Sequence, residues 1–207
     1  MTDIHEGSTK SPAGRGPRSY APWAAALIGV AVVLYIIVAV LKSGWPGGLQ
    51  GLARGEMAKL HVEPNGPHEP ATPFVDAQGR EMHLSDLKAP VVVVNLWATW
   101  CPPCVREMPT LAKLQAAYPG RVIVAPISVD KDELRERARA FIGEHPPLPF
   151  YQDSKLALPF AISPAAEGFP TTIIYGRDGR ERARLSGPAD WDSPDARAVI
   201  DALLKQP

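Results

Sequence analysis

Cysteine is scarce in this sequence: the 207 residues include two, Cys101 and Cys104. A four-cysteine zinc site is therefore excluded, and the five histidines, at positions 5, 61, 68, 83 and 145, are too scattered to complete a mixed site. A c-type haem attachment motif requires histidine directly after the second cysteine, where Val105 stands. A purely structural disulfide across so short a loop would contribute only about 2 kcal/mol. The pair therefore favours thiol–disulfide exchange.

Net charge is also absent, because 22 lysines and arginines balance 22 aspartates and glutamates. Proteins that bind nucleic acid through a basic face carry an excess of positive charge. We therefore expect no nucleic-acid partner, and the residues indicate no resident metal or other cofactor.

Charge is missing altogether from the apolar stretch 21–41. About 20 helical residues span the hydrocarbon core of a bilayer, and the stretch is longer than the apolar region of a cleaved signal peptide. We predict a cytoplasmic tail over 1–20, a transmembrane anchor over 21–41, a linker over 42–72 with one short helix near Gly48–Leu60, and a folded domain over 73–207.

Basic residues near the anchor indicate its orientation. Lys10, Arg15 and Arg18 precede the stretch, whereas Lys42 and Arg54 follow it. This slight excess favours a cytoplasmic N-terminus. The expected location is the bacterial inner membrane, crossed once, with the C-terminal domain in the periplasm.

Strand and helix patterns alternate over 73–207. Continuous β-branched runs predict buried strands at 91–97 and 122–129, and helical spacing after Cys101 predicts a helix to about Tyr118, which Pro109 kinks or breaks. Further predicted elements are a hairpin over 74–84, helices over 131–144, 154–161 and 193–205, and a hairpin over 171–185. The fold class is α/β, a mixed central sheet flanked by helices.

The cysteines stand at the start of a predicted helix, in the phrase Trp-Ala-Thr-Trp-Cys-Pro-Pro-Cys. Unpaired N–H groups and the positive end of the helix dipole stabilise a thiolate there. Cys101 is placed to be the nucleophile and Cys104 to be the resolving thiol. Pro102 and Pro103 lack N–H groups, so few donors remain for the Cys101 sulfur, among them Cys104 N–H and that of Val105. We expect a moderately depressed Cys101 pKa and a reducing couple.

Three phrases carry a family resemblance: VVVVNLWATWCPPCVREMP, GFPTTIIYGRDGRE and SGPADWDSPDA. Together they resemble the TlpA group of membrane-anchored, thioredoxin-like thiol–disulfide proteins, over roughly residues 72–205. The resemblance implies a thioredoxin-like fold with an N-terminal hairpin and a central insertion around 131–151. It also implies that Pro170 is a cis-proline facing the cysteines, and that the Phe169 backbone pairs with substrate.

The resemblance extends to other residues around the cysteines. Pro102, Pro103 and Trp100 are expected to contact substrate, although an ordinary packing role for Trp100 stays open. Thioredoxins carry a buried aspartate where this chain has Asn95, and an amide cannot accept a proton from Cys104. Glu107 matches a glutamate of related reductases and is a candidate acid–base group acting through water. A solvated carboxylate on the helix surface is the alternative for Glu107.

The resemblance implies a reductase with dedicated clients. Expected partners are disulfide-containing periplasmic proteins: a copper chaperone or oxidase subunit in cytochrome oxidase assembly, or an apocytochrome c. A membrane electron transporter must supply electrons, because the periplasm is kept oxidising. Two alternatives use the same thiols: a Cu(I)-binding chaperone module and an oxidase that inserts disulfides.

Overall fold

The computed structural model describes residues 21–42 and 48–206, and these two ranges belong to two separate compact units. In the first unit, helix α1 spans Ala21–Lys42. Its side chains are described for 28–38, and these are exposed. The predicted tail over 1–20 lies outside the described residues. Among the helices of the described ranges, none is both long enough and apolar enough to cross a membrane.

The second unit is built on an eight-stranded mixed sheet. The strands are β1 His61–Val62, β2 Phe74–Asp76, β3 Glu81–Met82, β4 Val91–Trp97, β5 Val122–Ser128, β6 Tyr151–Gln152, β7 Thr171–Gly176 and β8 Glu181–Ser186. Their spatial order is β1-β8-β7-β4-β5-β6-β2-β3. The β4–β5 and β5–β6 pairs are parallel and the other neighbouring pairs are antiparallel. The predicted mixed α/β architecture is confirmed.

Five helices accompany the sheet: α2 Leu49–Leu52, α3 Pro102–Ala117, α4 Arg135–Gly143, α5 Leu158–Ala161 and α6 Pro194–Leu203. Short 3₁₀ turns occupy Gly55–Met57, Leu84–Asp86 and Asp132–Leu134. The Ser193 hydroxyl accepts a hydrogen bond from Ala196 N–H and caps α6. The predicted hairpins at both ends of the domain are present, and Gly79 and Gly179 adopt positive φ at their turns.

Strand β4 separates two hydrophobic cores. Val91, Val93 and Trp97 belong to one core, and Val92 and Leu96 belong to the other. Successive strand residues point to opposite faces of a sheet, so a strand covered on both sides must be apolar throughout. This explains the run Val-Val-Val-Val-Asn-Leu-Trp and places Asn95 in a fully buried position.

The predicted linker over 42–72 differs from the structure. Leu49, Met57 and Leu60 are buried in the core that also contains α6, and β1 pairs with β8 at the sheet edge. The placement of the folded domain's start at residue 73 is therefore wrong. The segment is rich in Gly and Pro, so its composition is that of a linker even though a few apolar side chains pack it against the domain.

Helices α3 and α5 differ from the predictions. Helix α3 continues through Pro109, so a break there is wrong. One missing N–H is tolerated because Met108, Leu111 and Leu114 on the same helix are fully buried. The helix predicted over 154–161 forms only at Leu158–Ala161, where the Asp153 carboxylate accepts a hydrogen bond from Leu158 N–H at 2.7 Å.

Candidate active site

The two cysteines lie where β4 ends and α3 begins. Cys101 is the N-cap residue of α3, and its side chain is joined to Cys104 in a disulfide. Cys104 is fully buried, whereas Cys101 retains 5% of its surface exposed. Cys101 is thus the more accessible residue of the pair to an incoming partner. This placement agrees with the predicted roles of nucleophile and resolving thiol, which remain predictions.

Few N–H groups surround the Cys101 sulfur. Cys104 N–H donates to it at 3.3 Å, as the sequence predicts. Val105 N–H, the other candidate donor, instead donates to the Cys101 backbone carbonyl at 3.1 Å. Pro102 and Pro103 occupy the first two positions of the helix and have no N–H to offer. A thiolate at Cys101 would therefore receive modest hydrogen-bond stabilisation.

An aromatic pair lies beside the cysteines. Trp100 is 57% exposed, and its ring meets the half-buried Phe169 ring edge-on, with centroids 5.9 Å apart. The Phe169–Pro170 peptide bond is cis. Pairing of Leu96 with Thr171 brings the start of β7 next to the end of β4, which places Pro170 beside the active-site loop. The structure thus brings Trp100, Phe169 and Pro170 together.

Glu107 lies one turn after Cys104 and is 3% exposed, so the alternative of a solvated surface carboxylate is wrong. Its Oε1 accepts a hydrogen bond from Asn95 Nδ2 at 2.8 Å. Its Oε2 accepts from Ala189 N–H at 3.1 Å and from the Trp191 indole N–H at 3.3 Å. The carboxyl group is buried among N–H donors from β4 and from the segment between β8 and α6.

Burial raises the pKa of Glu107 from its ordinary value of 4.5 to about 7, against the opposing effect of the three hydrogen bonds. A carboxyl group that titrates near neutral pH can hold or release a proton during exchange. This property is compatible with the predicted acid–base role, which stays a prediction.

The hydrogen-bond partners of Glu107 could not be predicted from the sequence. Asn95 Nδ2 also donates to Thr172 Oγ1 at 2.9 Å, and this pair faces across β4 and β7. Ala189 and Trp191 belong to the SGPADW phrase, for which the family resemblance implies no specific role. Contacts across 82 and 84 residues of sequence separation leave no local pattern to read.

Replacing Glu107 with glutamine should change how stability depends on pH. The pKa of Glu107 is higher in the folded state than in the unfolded state. The contribution of this group to the free energy of unfolding is therefore complete below about pH 4.5 and is lost as pH rises through 7. Glu107→Gln removes this titration. The difference in free energy of unfolding, wild type minus variant, should fall by up to about 3 kcal/mol between pH 4.5 and pH 8. Urea unfolding of the oxidised full-length protein at several pH values measures it.

Glu133→Gln is the matched control, because Glu133 is an exposed carboxylate on the turn before α4. Its unfolding curve should follow the wild type at every pH. If Glu107→Gln and wild type shift in parallel from pH 4.5 to pH 8, Glu107 does not titrate in this range.

Metal ligation within the described ranges has few candidates. No group of three or more His, Cys, Asp or Glu side chains in residues 21–42 and 48–206 is arranged to hold a metal ion. The two thiols, after reduction, are the soft ligands at this site.

Comparison with known proteins supports the redox assignment. The Redoxin family model matches residues 64–200. The chain is 26% identical over 155 residues to the thiol-disulfide oxidoreductase ResA of Bacillus thuringiensis, covering 73% of this chain and 86% of that protein. Over a shorter stretch of 64 residues, the chain is 41% identical to the thioredoxin-like protein YneN of Bacillus subtilis, and this match covers 30% of this chain and 38% of YneN.

Solved structures agree with these sequence relatives. A crystal structure from Chlorobium tepidum, assigned as a thiol:disulfide interchange protein DsbE, superimposes with a TM-score of 0.59. It is 25% identical and covers 70% of this chain and 99% of its own. The resemblance to thioredoxin-like thiol–disulfide proteins is thereby confirmed. Since the family match spans most of the folded unit and includes the cysteine pair, the chain belongs to the Redoxin family and is a thioredoxin-like thiol–disulfide oxidoreductase.

Proposed function

We propose that this protein is a membrane-anchored reductase that delivers electrons to disulfides of specific periplasmic proteins. The direction of electron flow is proposed from the small number of hydrogen-bond donors at the Cys101 sulfur. Of the two backbone N–H groups that the sequence offers as donors, Cys104 N–H donates to the sulfur and Val105 N–H donates to the Cys101 carbonyl. A thiolate with little stabilisation makes the reduced form less stable, and a couple of this kind is reducing.

The exchange proceeds in two steps that transfer two electrons. The Cys101 thiolate attacks a sulfur of the partner disulfide, which forms a mixed disulfide and releases one partner thiolate. The Cys104 thiolate then attacks the Cys101 sulfur, which closes the internal disulfide and releases the second partner thiolate. Glu107, one turn beyond Cys104 on α3, would accept the Cys104 proton through water.

The surface around Trp100 is the proposed docking site for the partner. Trp100 is exposed and contacts Phe169, whose peptide bond leads into Pro170. Exposed Pro102 extends this surface on the helix side and half-buried Pro103 follows it. An extended client segment can pair with the Phe169 backbone while its apolar side chains pack on Trp100.

The anchor and location are proposed from the sequence. The uncharged apolar run over 21–41 is of membrane-spanning length, and the basic residues favour a cytoplasmic N-terminus. The protein would cross the bacterial inner membrane once. Carbonate extraction of membranes, with protease protection of spheroplasts, tests both points, and a freely soluble protein would contradict them.

The clients follow from the TlpA resemblance. They are copper-site or copper-chaperone cysteines in cytochrome oxidase assembly, or the haem-binding cysteines of apocytochromes in cytochrome c maturation. A membrane electron transporter would regenerate the reduced protein, because the periplasm is kept oxidising.

Cys104→Ser should trap the client as a stable mixed disulfide in the native organism. The variant retains the first attack but lacks the thiol that releases the partner. Non-reducing electrophoresis and mass spectrometry would identify a protein with a reducible cysteine pair. The double variant Cys101→Ser, Cys104→Ser is the control and should trap nothing.

Two alternatives remain distinguishable by direct measurement. A Cu(I) chaperone module would bind Cu(I) tightly through the reduced thiols while reducing disulfides poorly. A disulfide-inserting oxidase would have a Cys101 alkylation midpoint near pH 3.5 and a potential near −120 mV, whereas a reductase of this kind lies closer to thioredoxin, about −270 mV. Absence of a trapped client together with tight Cu(I) binding would overturn the reductase proposal.

A further inference from the structure

Asp130 is a buried carboxylate beside the active-site loop. It directly follows Val129, just after the end of β5, and is fully buried. The parallel pairing of β4 with β5 extends to Val129, whose N–H donates to the Trp97 carbonyl at 2.8 Å. Asp130 therefore lies at the same end of the sheet as Cys101.

The Asp130 carboxylate holds Thr99, two residues before Cys101. Its Oδ2 accepts from Thr99 N–H at 2.9 Å and from the Ser128 hydroxyl at 2.8 Å. Its Oδ1 accepts from the Thr99 hydroxyl at 2.9 Å. Both the backbone and the side chain of Thr99 are thus bound to one carboxylate. The loop that carries Trp100 and Cys101 is fixed to the end of β5 through this contact.

The backbone of Asp130 is held by Gln152, which in turn is bound by Arg135 of the central insertion. Gln152 Nε2 donates to the Asp130 backbone carbonyl at 2.9 Å, and Gln152 Oε1 accepts from Arg135. Arg135 in turn donates to the Asp76 carbonyl at 2.8 Å. A chain of hydrogen bonds therefore runs from the N-terminal hairpin, through the insertion, to Thr99.

The Asp130 carboxylate accepts its hydrogen bonds from neutral groups, namely the N–H and hydroxyl of Thr99 and the hydroxyl of Ser128. Among the salt bridges of residues 21–42 and 48–206, none involves Asp130. Charges interact more strongly in a buried setting than in water, because the effective dielectric constant is lower. A buried carboxylate bound to Thr99, two residues before Cys101, opposes the appearance of a second negative charge on the Cys101 sulfur.

We propose that Asp130 is a positioning residue for disulfide exchange: it fixes the Thr99 loop, and its charge disfavours the Cys101 thiolate, which makes the couple more reducing than it would be without that charge. This inference rests on the thiol–disulfide activity of the chain. It makes no use of the proposed client or membrane anchor.

Asp130→Asn separates charge from geometry. The amide oxygen can still accept from Thr99 N–H, and the amide nitrogen can donate to the Thr99 or Ser128 hydroxyl, since hydroxyls also accept. We expect the pH midpoint of Cys101 alkylation in the reduced full-length protein to fall on the order of one unit. Above that midpoint, the equilibrium with glutathione should shift up to tenfold towards the reduced form, which corresponds to about 30 mV.

The effect on the equilibrium should vanish at low pH, where Cys101 is a neutral thiol and no longer responds to the charge. Other charged groups around this site are Glu107 on α3, Lys131 beside Asp130, Arg135 on α4 and Asp153 after β6. They are the same in wild type and variant. Repeating the comparison in the Glu107→Gln background removes the titration of Glu107 from both curves.

Thr99→Val provides a second variant that leaves the charge in place. This variant removes the hydroxyl that donates to the Asp130 carboxylate, so less of the negative charge on Asp130 is offset. The pH midpoint of Cys101 alkylation should therefore rise instead of falling. Thr99→Ser, which keeps the hydroxyl, should restore the wild-type midpoint. Asp132→Asn is the matched control, because Asp132 is exposed, and its removal should leave the midpoint unchanged.

Opposite shifts in Asp130→Asn and Thr99→Val would support the proposal. An unchanged midpoint in folded Asp130→Asn, or shifts of the same sign in both variants, would overturn it. If Asp130→Asn does not fold, an unchanged midpoint in Thr99→Val would overturn it alone. The wild-type potential separately tests whether the couple is reducing, so the two proposals can fail independently.

Discussion

Cys101→Ser is expected to lower the rate of disulfide reduction by about a thousandfold or more. The thiolate is the nucleophile in exchange, and a serine hydroxyl is not ionised at neutral pH and forms no disulfide. Cys101 is the more exposed residue of the pair and Cys104 is fully buried, so Cys104 cannot replace it without opening the fold. Turnover of insulin by the reduced full-length protein, with dithiothreitol as the electron source, measures the loss.

Cys104→Ser serves as the paired variant because it should fail at a different step. The first attack should occur at a rate within a few-fold of wild type, while steady turnover collapses as the mixed disulfide accumulates. Single-turnover reaction with a small aromatic disulfide separates the two steps. Equal first-step rates in Cys101→Ser and Cys104→Ser would show that the roles of the two thiols have been assigned wrongly.

The cysteine pair could be placed from sequence because its determinants are local. A continuous β-branched strand, two cysteines three residues apart and a helical pattern after them lie within the range 91–118. Each residue needs only its neighbours to define its position at a helix start. For the same reason, the donation of Cys104 N–H to the Cys101 sulfur could be anticipated.

The surroundings of Glu107 could not be predicted in this way. One turn of helical spacing leaves a carboxylate free to face solvent or the core, and the choice depends on distant segments. Here Asn95 reaches Glu107 from β4, while Ala189 and Trp191 reach it from the segment before α6. The raised pKa of Glu107 follows from this tertiary burial, so no local pattern could signal it.

The start of the folded domain could not be predicted from the sequence for a related reason. Residues 48–72 have the Gly and Pro content typical of linkers, yet three apolar side chains, Leu49, Met57 and Leu60, are buried. They lie on α2, on the 3₁₀ turn at Gly55–Met57 and just after that turn, and not on one continuous helix. Docking on α6 and pairing of β1 with β8 supply the order that local propensity lacks.

Trp191→Ala is expected to lower the free energy of unfolding by about 3–5 kcal/mol, because it removes a large and fully buried side chain. For a chain of this size, such a loss corresponds to a fall in Tm on the order of 10 °C. The same change removes one of the three donors to Glu107. Urea unfolding of the oxidised full-length protein measures the loss of free energy of unfolding, and thermal unfolding measures the fall in Tm.

Trp191→Phe separates the two contributions of the indole. Phenylalanine keeps most of the buried apolar volume but cannot donate to Glu107, so its loss should be smaller than that of Trp191→Ala. The missing donor stabilised the ionised carboxylate, so the residual loss in Trp191→Phe should be larger at pH 8 than at pH 4.5. Trp100→Ala is the control, since that indole is 57% exposed and its removal should cost far less. If the loss in Trp191→Phe is the same at both pH values, Trp191 stabilises the fold by packing alone and its indole N–H does not sustain the Glu107 carboxylate.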